Sequence, residues 1–295
     1  MRPVVLCIGL VALASVARGA SDPAKAGRFA VGVTTVVAVD ADRGRSLPTE
    51  IWYPAKTAGR DATTLPRAYP LILMAHGFCG SRMNYEYLTT HLASYGFIVA
   101  APDFIGLTRA DCSPGPATGS QNDWPFDLSF VCRTLHDPRG PLARWAEHVR
   151  GSPTGLVGHS LGGFAVVEAA KIDASFTAIA PLAPAESGPD PDAVHRPYLV
   201  MGGTADVLVS FASLTQPFFD ALVAPKFLVR INGGTHSGFR DEDTSLTPEA
   251  LAAQQAVTKR ETAAFFVRYL AHKAKFGRWL RTSDDGTVAV TARPK

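Results

Sequence analysis

The chain has little charge imbalance and few cysteines, and beyond its first twenty residues it has no long apolar run. Lys and Arg number 29 against 26 Asp and Glu in 295 residues, a formal net charge of +3. That balance gives no electrostatic basis for a nucleic-acid partner or an anionic membrane, and no nucleic acid is expected. No stretch past the N-terminus is long and apolar enough for a spanning helix, so no transmembrane anchor is expected. The 4 cysteines include no Cys-x-x-Cys pair. A zinc or redox site is therefore not expected, nor any other metal or cofactor. Internal repeats and linker-like segments are also missing, which leaves one domain over residues 20–295.

What is present is the composition of a globular chain with a large core, 46% hydrophobic and 19% charged. The first residues form a separate unit. Arg2 precedes an apolar run over residues 4–16, and Ala17-Arg18-Gly19 follows. This is the layout of a signal peptide cleaved after Gly19. Residues 1–19 are expected to be removed and the protein to be secreted or periplasmic. The loss of Arg2 and Arg18 leaves 27 basic against 26 acidic residues. Cys7 leaves too, and Cys79, Cys112 and Cys132 remain. Three cysteines leave at least one thiol unpaired within the monomer. Cys112 and Cys132 flank a loop, so a bond between them is expected, with Cys79 free. Cys79–Cys112 is the rival pairing.

Short apolar runs rich in β-branched residues recur at 29–39, 50–53, 71–75, 97–101, 154–157, 176–180, 198–201 and 226–231. From Leu71 onward they are continuous rather than alternating, as in parallel strands buried on both faces. Helical patterns lie between them at 85–95, 128–135, 161–171 and 211–223. A last helix is expected from Thr247 as N-cap and Pro248 at its first position to about Lys273. Val288-Ala289-Val290 reads as a short edge strand. Alternating strands and helices predict an α/β fold with a mostly parallel central sheet of about eight strands and helices on both faces. Residues 102–125 carry many Gly, Pro, Ser and Asp and no periodicity, which marks a long loop.

The chemistry centres on Gly158-His159-Ser160-Leu161-Gly162. The run 154–157 enters it as a strand and 164–171 leaves it as a helix, which is the pattern of a nucleophile elbow. A serine hydroxyl needs a base to take its proton and an acid to orient that base. Of the eight histidines, His236 stands in a polar loop after the strand 226–231, where catalytic groups of parallel sheets collect. His91, His136, His148 and His272 read as surface residues, and His159 is expected to point away from the serine. Asp206 follows the strand 198–201 in the same manner; Asp190 and Asp192 also follow the serine but sit in a Pro-rich loop. The order Ser160, Asp206, His236 is the nucleophile–acid–base order of one hydrolase architecture. Phe78, in His76-Gly77-Phe78-Cys79-Gly80 after the first strongly apolar strand, and Leu161, after the serine, are the candidate backbone N–H donors for an oxyanion.

These four separated elements together resemble the α/β-hydrolase superfamily, over roughly residues 70–269. Leu47-Pro48-Thr49-Glu50-Ile51-Trp52-Tyr53-Pro54 extends the likeness. It is similar to the first strand of the branch with the dienelactone-hydrolase-like esterases, the platelet-activating-factor-acetylhydrolase-like lipases and the bacterial polyester hydrolases. The resemblance implies a secreted serine carboxylesterase or lipase that forms an acyl-enzyme on Ser160, works without cofactor, and takes a small-molecule, lipid or polymeric ester. A serine peptidase or amidase on this fold is the alternative, and a binding protein without turnover a third reading. Polyester hydrolases carry a tryptophan after the strand following the elbow, and Pro181-Leu182-Ala183-Pro184-Ala185-Glu186 has none, which argues against aromatic polyesters. The connection over residues 182–196 is too short and polar for a large cap domain, so an open cleft is expected.

Overall fold

The computed structural model describes residues 22–112, 119–185 and 196–294. The expected leader lies outside them, as do Asp190, Asp192 and most of the connection in which a cap was not expected. The chain runs β1 (Ala30–Asp40), β2 (Arg45–Ala55), β3 (Gly59–Arg60), β4 (Leu71–Ala75), α1 (Glu86–Ser94), β5 (Ile98–Pro102), α2 (Trp124–His136), α3 (Ala143–Val149), β6 (Thr154–His159), α4 (Leu161–Ile172), β7 (Phe176–Leu182), β8 (Tyr198–Gly203), α5 (Gln216–Ala221), β9 (Lys226–Ile231), α6 (Pro248–Tyr269), β10 (Ser283–Asp284) and β11 (Val288–Arg293).

All the strands join one sheet in the order β10-β11-β9-β8-β7-β6-β4-β5-β2-β1-β3. From β9 to β5 every neighbouring pair is parallel. The β1–β2 hairpin joins one side antiparallel, and β11 joins the other. This is the fold of an α/β hydrolase. The sheet is wider than the expected eight strands because it includes β11 and the two-residue strands β3 and β10, the last two too short for any periodic pattern.

The continuous apolar runs have the cause inferred for them. In β4, Leu71, Leu73 and Ala75 face one core, with Leu128 and Val131 of α2 and Val166 of α4. Ile72 and Met74 face the other, with Leu88 and Leu92 of α1 and Phe265 and Phe266 of α6. Side chains alternate across the sheet, so both faces need apolar residues. Each such leucine or isoleucine contributes roughly 1.5–3 kcal/mol by burial. The outer β1 alternates instead, with Val36 and Ala38 buried and Val37 and Val39 exposed.

Helix boundaries depart from the sequence reading where local chemistry intervenes. α2 starts at Trp124, with Pro125 in its first turn, where a missing N–H costs nothing. The end of the 102–125 segment is thus a 3₁₀ turn, Gln121–Asp123, leading into a helix. The helix expected over 211–223 is a π-helical turn, Phe211–Thr215, followed by α5. α6 begins as expected, with Thr247 Oγ1 accepting from Ala250 N at 3.2 Å. It ends at Tyr269 because His272 turns to φ 54° and Lys273 N bonds back to Val267 O at 3.0 Å.

The disulfide is Cys79–Cys112, and Cys132 is free and buried. The expected Cys112–Cys132 pairing is therefore wrong. Cys132 lies on the inward side of α2 among Leu128, Val131 and Leu135. The segment after β5 instead runs beside the loop after β4: Cys79 N donates to Leu107 O at 3.1 Å, and Arg109 N to Gly80 O at 2.9 Å. That pairing brings the Cα atoms of Cys79 and Cys112 to 5.8 Å, within disulfide reach.

Candidate active site

Ser160 stands between β6 and α4 with φ 57° and ψ −119°, a conformation L-residues rarely adopt. Three hydrogen bonds hold it there: Ser160 N to Leu182 O at 2.9 Å, Phe164 N to Ser160 O at 3.1 Å, and Ala185 N to Ser160 O at 2.9 Å. The glycines are required by close approach. A Cβ on Gly158 would lie 2.2 Å from Gly162 O, and one on Gly162 would lie 2.2 Å from Ala75 O. No side chain fits at such distances.

Asp206 and His236 are brought together by the ends of β8 and β9. Past the last strand pairs, Thr204 N bonds to Ile231 O and Ala205 N to Gly234 O, both at 2.9 Å. Asp206 Oδ2 then meets His236 Nδ1 at 2.7 Å. Its other oxygen accepts from Leu208 N at 2.9 Å and Val209 N at 2.7 Å. The carboxylate is thus fully engaged, and its side chain is 0% exposed against 12% for His236. With Nδ1 on the carboxylate, Nε2 is the histidine nitrogen left for chemistry. The His236 ring centroid is 4.6 Å from that of His159, the chain neighbour of Ser160. Ser160, Asp206 and His236 therefore occupy one edge of the sheet, at the C-terminal ends of its parallel strands.

The Gly77–Phe78 peptide is oriented by its carbonyl. His76 Nε2 accepts from Phe104 N at 3.1 Å, so Nδ1 carries the proton and donates to Gly77 O at 2.8 Å. Gly80 N donates to the same oxygen at 2.9 Å. In a trans peptide the N–H points opposite to the C=O. Phe78 N–H is therefore turned away from these donors, and among the described residues it has no acceptor. A Cβ on Gly77 would come within 3.3 Å of Ser160 Cβ, so this peptide runs directly beside the serine. Burial pushes the His76 pKa down to about 4, so the ring is neutral, as one donated and one accepted hydrogen bond require.

Several supporting residues carry no sequence signal. Gln254 of α6 bonds twice to the main chain of Thr235, next to His236. Asp241, five residues past His236, accepts from Glu86 N and Tyr87 N at 2.9 Å each and so caps α1. Tyr85 is buried under the elbow. A polar residue at an inward helix position is the only hint Gln254 offers, and it becomes legible only once the register of α6 is known. His91, expected at the surface, is buried with Nε2 on Pro23 O at 2.8 Å. Among the described residues, no three His, Cys, Asp or Glu side chains are grouped to hold a metal ion, and no helix is long and apolar enough to cross a membrane.

A family model described as PET hydrolase-like matches residues 16–286 of the chain. A bis(hydroxyethyl) terephthalate hydrolase of Streptomyces coelicolor is 27% identical over 195 residues, 61% of this chain and 62% of that protein. Cutinase 1 of Thermobifida cellulosilytica is 24% identical over 171 residues, 57% of this chain and 60% of that protein. A cutinase of Thermobifida fusca is 24% identical over 171 residues, 57% of this chain and 52% of its own. The chain thus spans less than two thirds of the length of each of these relatives.

Proposed function

The chain belongs to the PET hydrolase-like family, and within it we propose that the protein is a serine hydrolase of carboxylic esters acting through an acyl-enzyme on Ser160. The observation that carries the reading is the 2.7 Å contact of Asp206 with His236 Nδ1 on the sheet edge where Ser160 sits in its strained elbow. In this reading His236 Nε2 takes the proton of Ser160 as the hydroxyl attacks the ester carbonyl. Asp206 holds the imidazole and stabilises its charged form. The N–H groups of Phe78 and Leu161 receive the oxyanion, a contribution of about 3–4 kcal/mol per donor when judged by removal. His236 then protonates the departing alcohol, and a water activated by the same nitrogen cleaves the acyl-enzyme.

An apolar, chain-like substrate suits the surroundings. Phe78, Met83, Ile105, Val207 and Leu208 are exposed large apolar residues in loops at this edge of the sheet. Such a rim favours an apolar polymer or lipid chain over a small charged ester. The relatives' names speak for esters, one of them a terephthalate ester, and none speaks for an amide. The missing tryptophan after β7 weighs toward aliphatic rather than aromatic polyesters. Export fits the leader-like residues 1–19 and the Cys79–Cys112 bond, which persists in an oxidising compartment.

The test is a series of p-nitrophenyl esters of graded acyl length, followed by films of an aliphatic and an aromatic polyester. Turnover of the esters and release of soluble products from the aliphatic film are expected. Folded protein that hydrolyses no ester in the series would end the proposal.

A further inference from the structure

Gly77 presents a difficulty that the site has to solve. A Cβ there would crowd Ser160 Cβ at 3.3 Å, so glycine suits the position, yet glycine is the most freely rotating residue, and the peptide it begins carries the Phe78 N–H. His76 and Gly80 fix the Gly77 carbonyl, as described above. The other side of Gly77 is fixed by Tyr85. Gly77 N donates to the Tyr85 hydroxyl at 3.1 Å, and that hydroxyl lies 2.9 Å from His159 Nδ1.

The proton positions in this chain follow from what each group can do. A backbone N–H only donates, so the Tyr85 oxygen accepts from Gly77. Tyr85 has one proton to give, and among the described residues His159 Nδ1 is its acceptor. Among the described residues His159 Nε2 is buried without a partner in either tautomer, and a proton on Nδ1 would in addition leave the buried Tyr85 hydroxyl donating to nothing, at a further cost of about 1–3 kcal/mol. His159 is therefore the Nε2–H tautomer. Tyr85, His76 and His159 are all buried, so each of these bonds is shielded from water.

We propose that Tyr85 is a positioning residue for the oxyanion peptide, with its hydroxyl aimed by His159 and its oxygen clamping the Gly77 N–H. The inference rests on the serine-hydrolase reading. It links three parts of the chain: the loop after β4, the start of α1 where Tyr85 stands, and the elbow through His159. Clamped at both its N–H and its C=O, Gly77 keeps little of its rotational freedom, and the Phe78 N–H is held ready before substrate arrives. Burial keeps His159 neutral, well below the usual histidine value, so it can go on accepting from Tyr85 through the working pH range.

Tyr85→Phe removes the hydroxyl and keeps the ring. Active sites are first counted with a fluorophosphonate, and rates are expressed per titrated serine. We expect kcat to fall about 10–100-fold, less than outright removal of an oxyanion donor, with KM for a short ester within about twofold. A boronic acid that forms a tetrahedral adduct on serine should lose affinity by the same factor as kcat/KM. His159→Leu should reproduce the defect. His159→Asn should restore most of it, because its Oδ1 can accept from Tyr85 where Nδ1 did. If Tyr85→Phe fails to fold, the two His159 variants decide, and Asn no better than Leu would overturn the proposal. So would a Tyr85→Phe enzyme with unchanged kcat and boronate affinity, even if its melting temperature fell. Wild-type protein inert to esters and to the fluorophosphonate would remove this inference together with the reading beneath it. An active wild type matched by Tyr85→Phe would remove this inference alone.

Discussion

Gln254 grips the main chain of Thr235: its Oε1 accepts from Thr235 N and its Nε2 donates to Thr235 O, each at 3.0 Å. Gly238 closes the same turn, since a Cβ there would lie 2.2 Å from Gln254 Oε1. The loop that carries His236 is thereby fastened to α6. Gln254→Met keeps the length of the side chain and loses both bonds. Two half-buried main-chain groups then lose their partners, a destabilisation of at most about 1–3 kcal/mol for each, reduced by the water that reaches them. His236 also loses its fixed approach to Asp206. The expected result is a lower melting temperature and a kcat reduced about tenfold at a temperature where the variant is still folded. Unchanged kcat and stability in Gln254→Met would show that α6 does not hold the histidine loop.

Ser160→Ala should leave the fold intact. The strain at φ 57° sits in the backbone, and the hydrogen bonds that hold it come from the main chain. Loss of the hydroxyl should cut kcat by about 10⁴–10⁶ while the circular dichroism spectrum stays the same. Near-normal turnover by purified Ser160→Ala would exclude Ser160 as nucleophile.

Much of this site can be read along the chain because its parts lie at strand ends. β4 and β9 have the boundaries their apolar runs indicate, and Ser160, Asp206 and His236 each follow a strand buried on both faces. Their arrival on one edge is then dictated by parallel topology. What sequence does not encode locally is pairing through space. Tyr85 lies 74 residues from His159, and Gln254 lies 19 from Thr235. Neither has a neighbour that marks it. His91 is polar and follows two threonines, yet the N-terminal segment folds over it and gives its Nε2 the carbonyl of Pro23. α3 has only seven residues and no side-chain cap at its start, so its pattern merges with the turns on either side.

The cysteines give a third prediction, because an attractive spacing misleads there. Cys112 and Cys132 are close in sequence, but the helix that carries Cys132 turns the thiol inward, toward Thr154 Oγ1 at 3.8 Å. Burial pushes that thiol up to about 11, where almost no thiolate exists at neutral pH. Native protein should therefore resist iodoacetamide at Cys132 and become labelled there only after denaturation. Peptide maps without reductant should contain a Cys79–Cys112 peptide. Closing a span of 33 residues contributes about 4 kcal/mol in the chain-entropy account, so Cys112→Ser should lower the melting temperature by several degrees. Rapid alkylation of Cys132 in the native state would contradict this arrangement.

Stability should rise with pH on the acid side of neutrality, and the reason lies in buried histidines. Burial takes His76 and His91 down to about 4 and holds His159 well below its usual value. In the unfolded chain all three return to about 6.5. Between pH 4 and 6.5 the unfolded state therefore binds more protons than the native state, and the native state gains as pH increases. Each such proton contributes about 1.4 kcal/mol per pH unit. Glu261 acts in the opposite sense. Burial raises its carboxyl to about 7, so from about 4.5 upward the native state keeps a proton that the unfolded chain has released. Asp127 and Asp241, also raised by burial, oppose the histidines at the acid end of the window. Across the middle of the window, three histidines outweigh one glutamate. Urea unfolding should give a larger free energy at pH 7 than at pH 5. His91→Gln, with an amide that can still donate to Pro23 O, should narrow that difference, and Glu261→Gln should widen it. A protein more stable at pH 5 than at pH 7 would mean that the buried histidines do not set its acid limit.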